Sequence, residues 1–118
     1  MDNAESILTS IKKLLGIAQE CTDFDMDLVI HINSVLMILT QLGVGPEKGF
    51  TIGDSRDLWE DFLEDDLSKL EAVRTFVYLK VRLIFDPPSN SAVIESINRT
   101  ISELEWRLNV AAESKTNS

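Results

Sequence analysis

Apolar residues recur at helical spacing along almost the whole chain. Between residues 4 and 20, Ile7, Leu8, Ile11, Leu14, Leu15 and Ala18 share one face, with Lys12, Lys13 and Gln19 elsewhere on the wheel. This predicts a first amphipathic helix, weakened near its end by Gly16, which costs about 1 kcal/mol relative to Ala inside a helix. Thr22-Asp23-Phe24-Asp25-Met26-Asp27 then supplies a side-chain cap and acids for a first turn, so a second helix is expected from about Asp25 to Leu42. Gly43-Val44-Gly45-Pro46-Glu47-Lys48-Gly49 ends it and opens one long loop, residues 43 to 53.

Asp54 is placed to cap a short helix, Ser55 to Leu63, carrying Leu58, Trp59 and Phe62. The acidic Glu64-Asp65-Asp66 opens the next, from about Asp66 to Phe85. Asp86-Pro87-Pro88-Ser89-Asn90-Ser91 stops that helix and caps a last one, Ser91 to about Ala112, because a residue before proline is pushed out of the α region. Strand-like alternation is confined to Phe50-Thr51-Ile52, and no internal repeat is visible. The expected fold is all-α, a compact bundle of four to five helices in one domain, residues 1–113, followed by a disordered polar tail, residues 114–118.

Two helices carry more apolar surface than one core face needs. On the last, Ile94, Ile97, Ile101, Leu104, Leu108 and Ala111 form a 3,4-spaced seam, while Trp106 lies on the opposite side near Val110, Arg99 and Glu103. Trp106 either wraps sideways onto the bundle or anchors a partner, and Trp is enriched among interface anchors. On the helix before it, Leu70, Val73, Val77, Val81 and Ile84 make one stripe, and Ala72, Phe76, Leu79 and Leu83 make a second, well apart from it. Either this helix is central or its second stripe is covered by another molecule.

Charge narrows the partners. Eleven Lys+Arg against 20 Asp+Glu give a formal net charge of −9 in 118 residues. Nucleic acid and anionic lipid both demand a basic face, so a conventional DNA reader is not expected. Lys12, Lys13, Lys69, Arg74, Lys80 and Arg82 are read as solvated positions, with Lys80 and Arg82 best placed to pair with acids of a neighbouring subunit. The lone Cys21 excludes an intramolecular disulfide and points to a reducing compartment. Met1-Asp2-Asn3-Ala4-Glu5 lacks the cationic start of an export signal, and the apolar stretch Leu28 to Leu42 is shorter than the roughly 20 residues a bilayer span needs.

Candidate chemistry is sparse. Asp23, Asp25 and Asp27 open like a calcium loop, but Leu28 and Ser34 stand where its Gly and Glu belong. Lys48-Gly49 reverses the order a phosphate loop requires. The carboxylates between Glu60 and Asp66 form a run of like charge, which is normally solvated and unsuited to acid–base work. His31 falls among Leu28, Val35 and Leu39, as a hydrogen-bonded core or interface histidine would, and Cys21 has no basic neighbour to activate it. Asn98-Arg99-Thr100 spells a glycosylation sequon without an export signal to make it one. No enzyme, cofactor or metal is expected.

Several stretches, in order and over most of the chain, carry a resemblance: Ser10-Ile11-Lys12-Lys13-Leu14-Leu15-Gly16-Ile17, His31-Ile32-Asn33-Ser34, Gln41-Leu42-Gly43-Val44-Gly45-Pro46, Trp59-Glu60-Asp61-Phe62-Leu63, Tyr78-Leu79-Lys80-Val81-Arg82-Leu83-Ile84-Phe85-Asp86-Pro87-Pro88, and Glu105-Trp106-Arg107-Leu108-Asn109. Together they resemble the small head-tail connector (adaptor, head-completion) proteins of long-tailed bacteriophages, in versions carried by phages and prophages of Gram-positive bacteria. The resemblance implies an all-α virion subunit, about twelve copies of which form a closed ring under the portal protein. That ring would extend the DNA channel without binding DNA specifically and present a surface to the next connector, stopper or tail-completion protein.

The same resemblance places Trp106, Arg107, Val110 and Arg99 on the portal side and Pro46, Lys48 and Phe50 of the long loop at a neighbour or the next ring. Phe76, Leu79, Leu83, Lys80 and Arg82 fall at the contact between subunits, while the short polar tail after Glu113 departs from the family's pattern of a C-terminal helix and tail that grip the portal. Such a protein would reside at the head–tail interface of the virion and assemble in the bacterial host cytoplasm, without a membrane. The alternative is a small acidic binding module, a DNA mimic or regulator that caps a basic partner.

Overall fold

A computed structural model describes residues 5–64 and 67–117. Among them lie five α-helices: α1 Ile7–Leu15, α2 Asp25–Gln41, α3 Trp59–Leu63, α4 Leu70–Phe85 and α5 Ser91–Asn117. A 3₁₀ turn, Leu67–Lys69, leads into α4. The described residues form no strand, only an isolated antiparallel bridge between Ser6 and Leu58. The all-α expectation holds, and the differences lie at helix ends.

α1 is half the predicted length because both of its ends are capped. Ser6 accepts a hydrogen bond from the Thr9 backbone N–H at 3.1 Å, fixing the start. Gly16, expected to weaken a continuing helix, instead terminates it at φ 81°. Its N–H donates to the Lys13 carbonyl at 3.1 Å and that of Ile17 to Lys12 at 2.9 Å, the Schellman pattern that satisfies the final carbonyls.

Beyond Gly16 the chain travels without regular structure to α2, held by a residue the helical wheel left in solvent. Lys12 is only 3% exposed. Its Nζ donates to the carbonyls of Gln19 at 3.0 Å and Cys21 at 2.7 Å, and lies 2.8 Å from Oδ1 of Asp25. Three acceptors match the three protons of an ammonium, the condition under which a buried lysine is tolerable. Asp25 therefore serves Lys12, and α2 begins without the side-chain cap expected from Thr22 or Asp23. Phe24, just before α2, stacks edge-on against Phe85 at the end of α4, ring centroids 5.3 Å apart.

α3 starts four residues later than predicted. Asp54 is spent on a local turn, accepting from the Arg56 N–H at 2.8 Å. The Arg56 side-chain hydrogen bonds hold the Asp54 carboxyl below its usual range, although screening by solvent makes this surface pair a minor contributor. The true start is set by Asp61, whose carboxylate accepts from the Leu58 N–H at 3.1 Å. Tertiary pairing does the rest: Ile7 N–H donates to the Asp57 carbonyl and Trp59 N–H to the Glu5 carbonyl, both at 3.0 Å, so α3 is tied to the start of α1. Trp59 is buried there, its indole N–H donating to Ser10 Oγ at 2.8 Å.

α4 is the central helix, packing against α1, α2 and α5. Its first stripe supplies Val73, Val77 and Val81 to the core, and the second supplies Phe76. The predicted opening at Asp66 lies outside the described residues. Arg74 ties α4 to the segment before α1 through Glu5 at 2.6 Å and also pairs with Glu71. Asn90 caps α5 as expected, accepting from the Ala92 N–H at 2.8 Å. α5 continues past the predicted end near Ala112 because neither Gly nor Pro follows to stop it. Its seam buries Ile97, Ile101 and Leu108, and the last member is Ala112 in place of Ala111, since a straight helix repeats every 3.6 residues and four steps follow Leu108.

The loop from 43 to 53 is anchored at both ends. Val44 and Ile52 are buried, and the Asn33 side chain brackets Ile52, accepting from its N–H at 2.7 Å and donating to its carbonyl at 3.0 Å. Gly43 and Gly45 both have positive φ; a Cβ on Gly43 would press on Ala112 of α5, and one on Gly45 would collide with the Phe62 ring.

Two stability changes are expected. Lys12→Ala strands a half-buried carboxylate and two carbonyls and should cost about 2 to 4 kcal/mol in urea unfolding, whereas Lys13→Ala should stay within about 0.5 kcal/mol. Gly45→Ala should cost about 1 to 3 kcal/mol in the same assay, through overpacking against Phe62 and its left-handed backbone.

Candidate functional site

Among the described residues no three His, Cys, Asp or Glu side chains are grouped to hold a metal ion, and no helix is long and apolar enough to cross a membrane. His31 is half-buried at the edge of the core face of α2, and Cys21 is a half-buried free thiol. The structure instead presents surfaces, and these decide what the chain can do.

The outer face of α5 is the first. Trp106 is 66% exposed, with Val110 one turn further on and also exposed. Arg107 is exposed and paired with Glu103 at 2.6 Å, while Arg99 is exposed and makes no ion pair among the described residues. The wheel therefore placed Trp106 correctly: the Ile97–Ile101–Leu108 seam takes the core, and the indole lies about 160° around the helix from Leu108 at 100° per residue.

The second surface is the long loop. Pro46 is half-buried and Lys48 exposed. Phe50 is half-buried and leans on the Phe62 ring, centroids 5.5 Å apart. Together with Asn33, Met37 and Thr40 of α2 the loop borders an open groove of about 630 Å³. The buried anchors Val44 and Ile52 hold the projecting part, Pro46 to Thr51, in one place.

The third expected surface, the second stripe of α4, is mostly internal. Phe76, predicted at a contact between subunits, is 0% exposed. Its partners are inside the chain because α4 is surrounded by α1, α2 and α5, the central arrangement that two apolar stripes also permit. Leu79 and Leu83 are half-buried against the same core. Lys80 lies 5.8 Å above the Phe76 ring, and Arg82 donates to the Tyr78 hydroxyl at 3.2 Å.

In exchange, α2 exposes apolar residues the sequence reading did not single out. Met26 is 78% exposed, and Ile30 and Met37 follow on the same side at spacings of four and seven. The signal was present: α2 has apolar residues around its whole circumference, so covering one face necessarily leaves others outside.

Comparison with known proteins gives one match. Residues 7–115 fit the model of a family described as phage connector protein. No curated protein and no solved structure matches the chain.

The contrast between the two large aromatics is measurable. Phe76→Ala should destabilise the fold by about 3 to 5 kcal/mol, as core aromatics do on truncation. Trp106→Ala should change it by no more than about 0.5 kcal/mol, because an exposed side chain leaves no cavity. Thermal melts of the two variants beside the parent provide the comparison.

Proposed function

From its membership of the phage connector protein family, the chain is a phage head–tail connector, and we propose that it acts as the adaptor that forms a ring beneath the portal, extends the DNA channel and receives the next tail-side component. The family assigns the chain to the virion, at the junction of head and tail. Its role there is structural. The Gram-positive phage setting belongs to the same proposal, as does assembly in the host cytoplasm.

The observation that carries this reading is Trp106, a large exposed aromatic on a helix whose core seam is already satisfied. With Val110, Arg107 and Arg99 it forms the surface assigned to the portal protein. Pro46, Lys48 and Phe50, on a loop pinned at Val44 and Ile52, form the surface assigned to the next connector, stopper or tail-completion protein. Leu79, Leu83, Lys80 and Arg82 remain assigned to the contact between copies, without Phe76. A surplus of nine negative charges per copy supports passage of DNA: a ring of such subunits repels the phosphate backbone and gives the genome nothing to adhere to.

Binding of the purified protein to its portal tests the reading. The parent should bind and join heads to tails. Trp106→Ala should keep its helical circular-dichroism spectrum yet lose portal affinity by about 30-fold or more, the effect of an anchor worth about 2 kcal/mol. Double-stranded DNA should show no binding even at low salt. Failure of the parent to bind portal at any salt concentration, or salt-sensitive DNA binding, would contradict the proposal.

A further inference from the structure

The described cations are unequally partnered. Lys12, Arg56, Arg74 and Arg107 each have a carboxylate within the chain. Lys13 and Arg82 have none among the described residues, and they line one concavity of about 280 Å³ at the end of α1, together with Leu14, Gly16, Tyr78 and Asp86. Asp86 is the single acid there and ion-pairs with neither cation. Arg82 is half-buried, and its guanidinium donates to the Tyr78 hydroxyl. A guanidinium partly withdrawn from water without a carboxylate is an electrostatic cost that an arriving carboxylate would offset through a charge-assisted pair. Leu14 and Ile84 are exposed beside Lys13 and Arg82 along the chain and add apolar surface.

The reverse imbalance sits at the other end of α1. Glu60, Asp61 and Glu64 are exposed, and no cation is ion-paired to them among the described residues. They belong to α3 and its final turn, which the Ile7–Asp57 and Trp59–Glu5 hydrogen bonds hold at the start of α1. The two sites are thus separated by the length of a nine-residue helix, about 13 Å, too far to pair within one copy.

We infer that the Lys13–Arg82 pocket accepts the α3 carboxylates, Glu60 foremost, of a second copy of this chain. Because donor and acceptor sites lie at different places on each copy, the contact is head-to-tail, the kind that closes into a ring when its rotation allows. The inference rests on the adaptor reading for its setting and specifies one contact between copies within it.

Sedimentation velocity and zero-length carbodiimide cross-linking test it on the full chain at about 1 mM protein and about 20 mM salt, where screening is weakest. The parent should give a cross-linked ladder containing a Lys13–Glu60 or Lys13–Asp61 peptide, fading by about 0.5 M salt. Arg82→Glu and Glu60→Lys should each lower self-association about tenfold or more while leaving the circular-dichroism spectrum unchanged. Mixed in equal amounts they should recover it, since every contact in an alternating array is then either the native pair or its reversed equivalent. Asp61 is left intact because it holds the start of α3. A parent that stays monomeric and uncross-linked under these conditions, or association that survives both reversals, overturns the inference. Head–tail joining assayed separately distinguishes the two readings: if Arg82→Glu still joins heads to tails, the connector role stands and this contact falls.

Discussion

Everything between α1 and α2 depends on one buried ammonium. Lys12 lies inside the bundle, and an ammonium there needs an acceptor for each of its three protons. It finds the Gln19 and Cys21 carbonyls and the Asp25 carboxylate. The first two bind the irregular segment after Gly16 against α1, and the third fixes where α2 begins. Phe24 is thereby delivered to Phe85, which closes the end of the bundle where α2 starts and α4 finishes. A buried ion pair adds little net stability over an apolar substitute, but it is intolerant of losing either partner. Its effect here is to define a single path for a segment that has no secondary structure to define one.

A second constraint comes from α4. Its two apolar stripes need cover on both sides, and α1, α2 and α5 provide it. Once those faces are committed inward, the remaining apolar residues of the covering helices point outward: Met26, Ile30 and Met37 on α2, Trp106 and Val110 on α5. The surface available for assembly is therefore a consequence of which helix became central. Had α4 been peripheral, its second stripe would have been that surface.

The adaptor role proposed above would need little else: neighbours held through several modest contacts, which assemble cooperatively on a template when many are made at once, and passage for DNA, which an acidic shell favours. Rigid presentation matters more than reactive chemistry, and the glycines at 43 and 45 serve it. They let the chain pass so close to Ala112 and Phe62 that the projecting loop is clamped between α5 and α3.

Much of this was legible in the chain itself. Hydrophobic repetition located all five helices and put Trp106 on the side away from the seam, and the Asp86–Ser91 segment read as a stop followed by a cap, because spacing and turn chemistry along the chain are local properties that burial merely uses. The family was legible as well, through segments spread along the chain. What the sequence could not settle were choices made by distant residues. Nothing local distinguishes Lys12 from Lys13; one is buried and the other exposed because Asp25 and two backbone carbonyls, brought round by the turn at Gly16, converge on the first. Nothing local says that Gly16 ends α1 rather than weakening it, that Asp54 yields the start of α3 to Asp61, or that Phe76 belongs inside. Each depends on which element packs opposite, and two apolar stripes read the same whether the cover is another helix of the chain or another molecule. Tertiary structure decided those positions because burial is set by the whole packed arrangement, whereas periodicity reports only that a face must be buried.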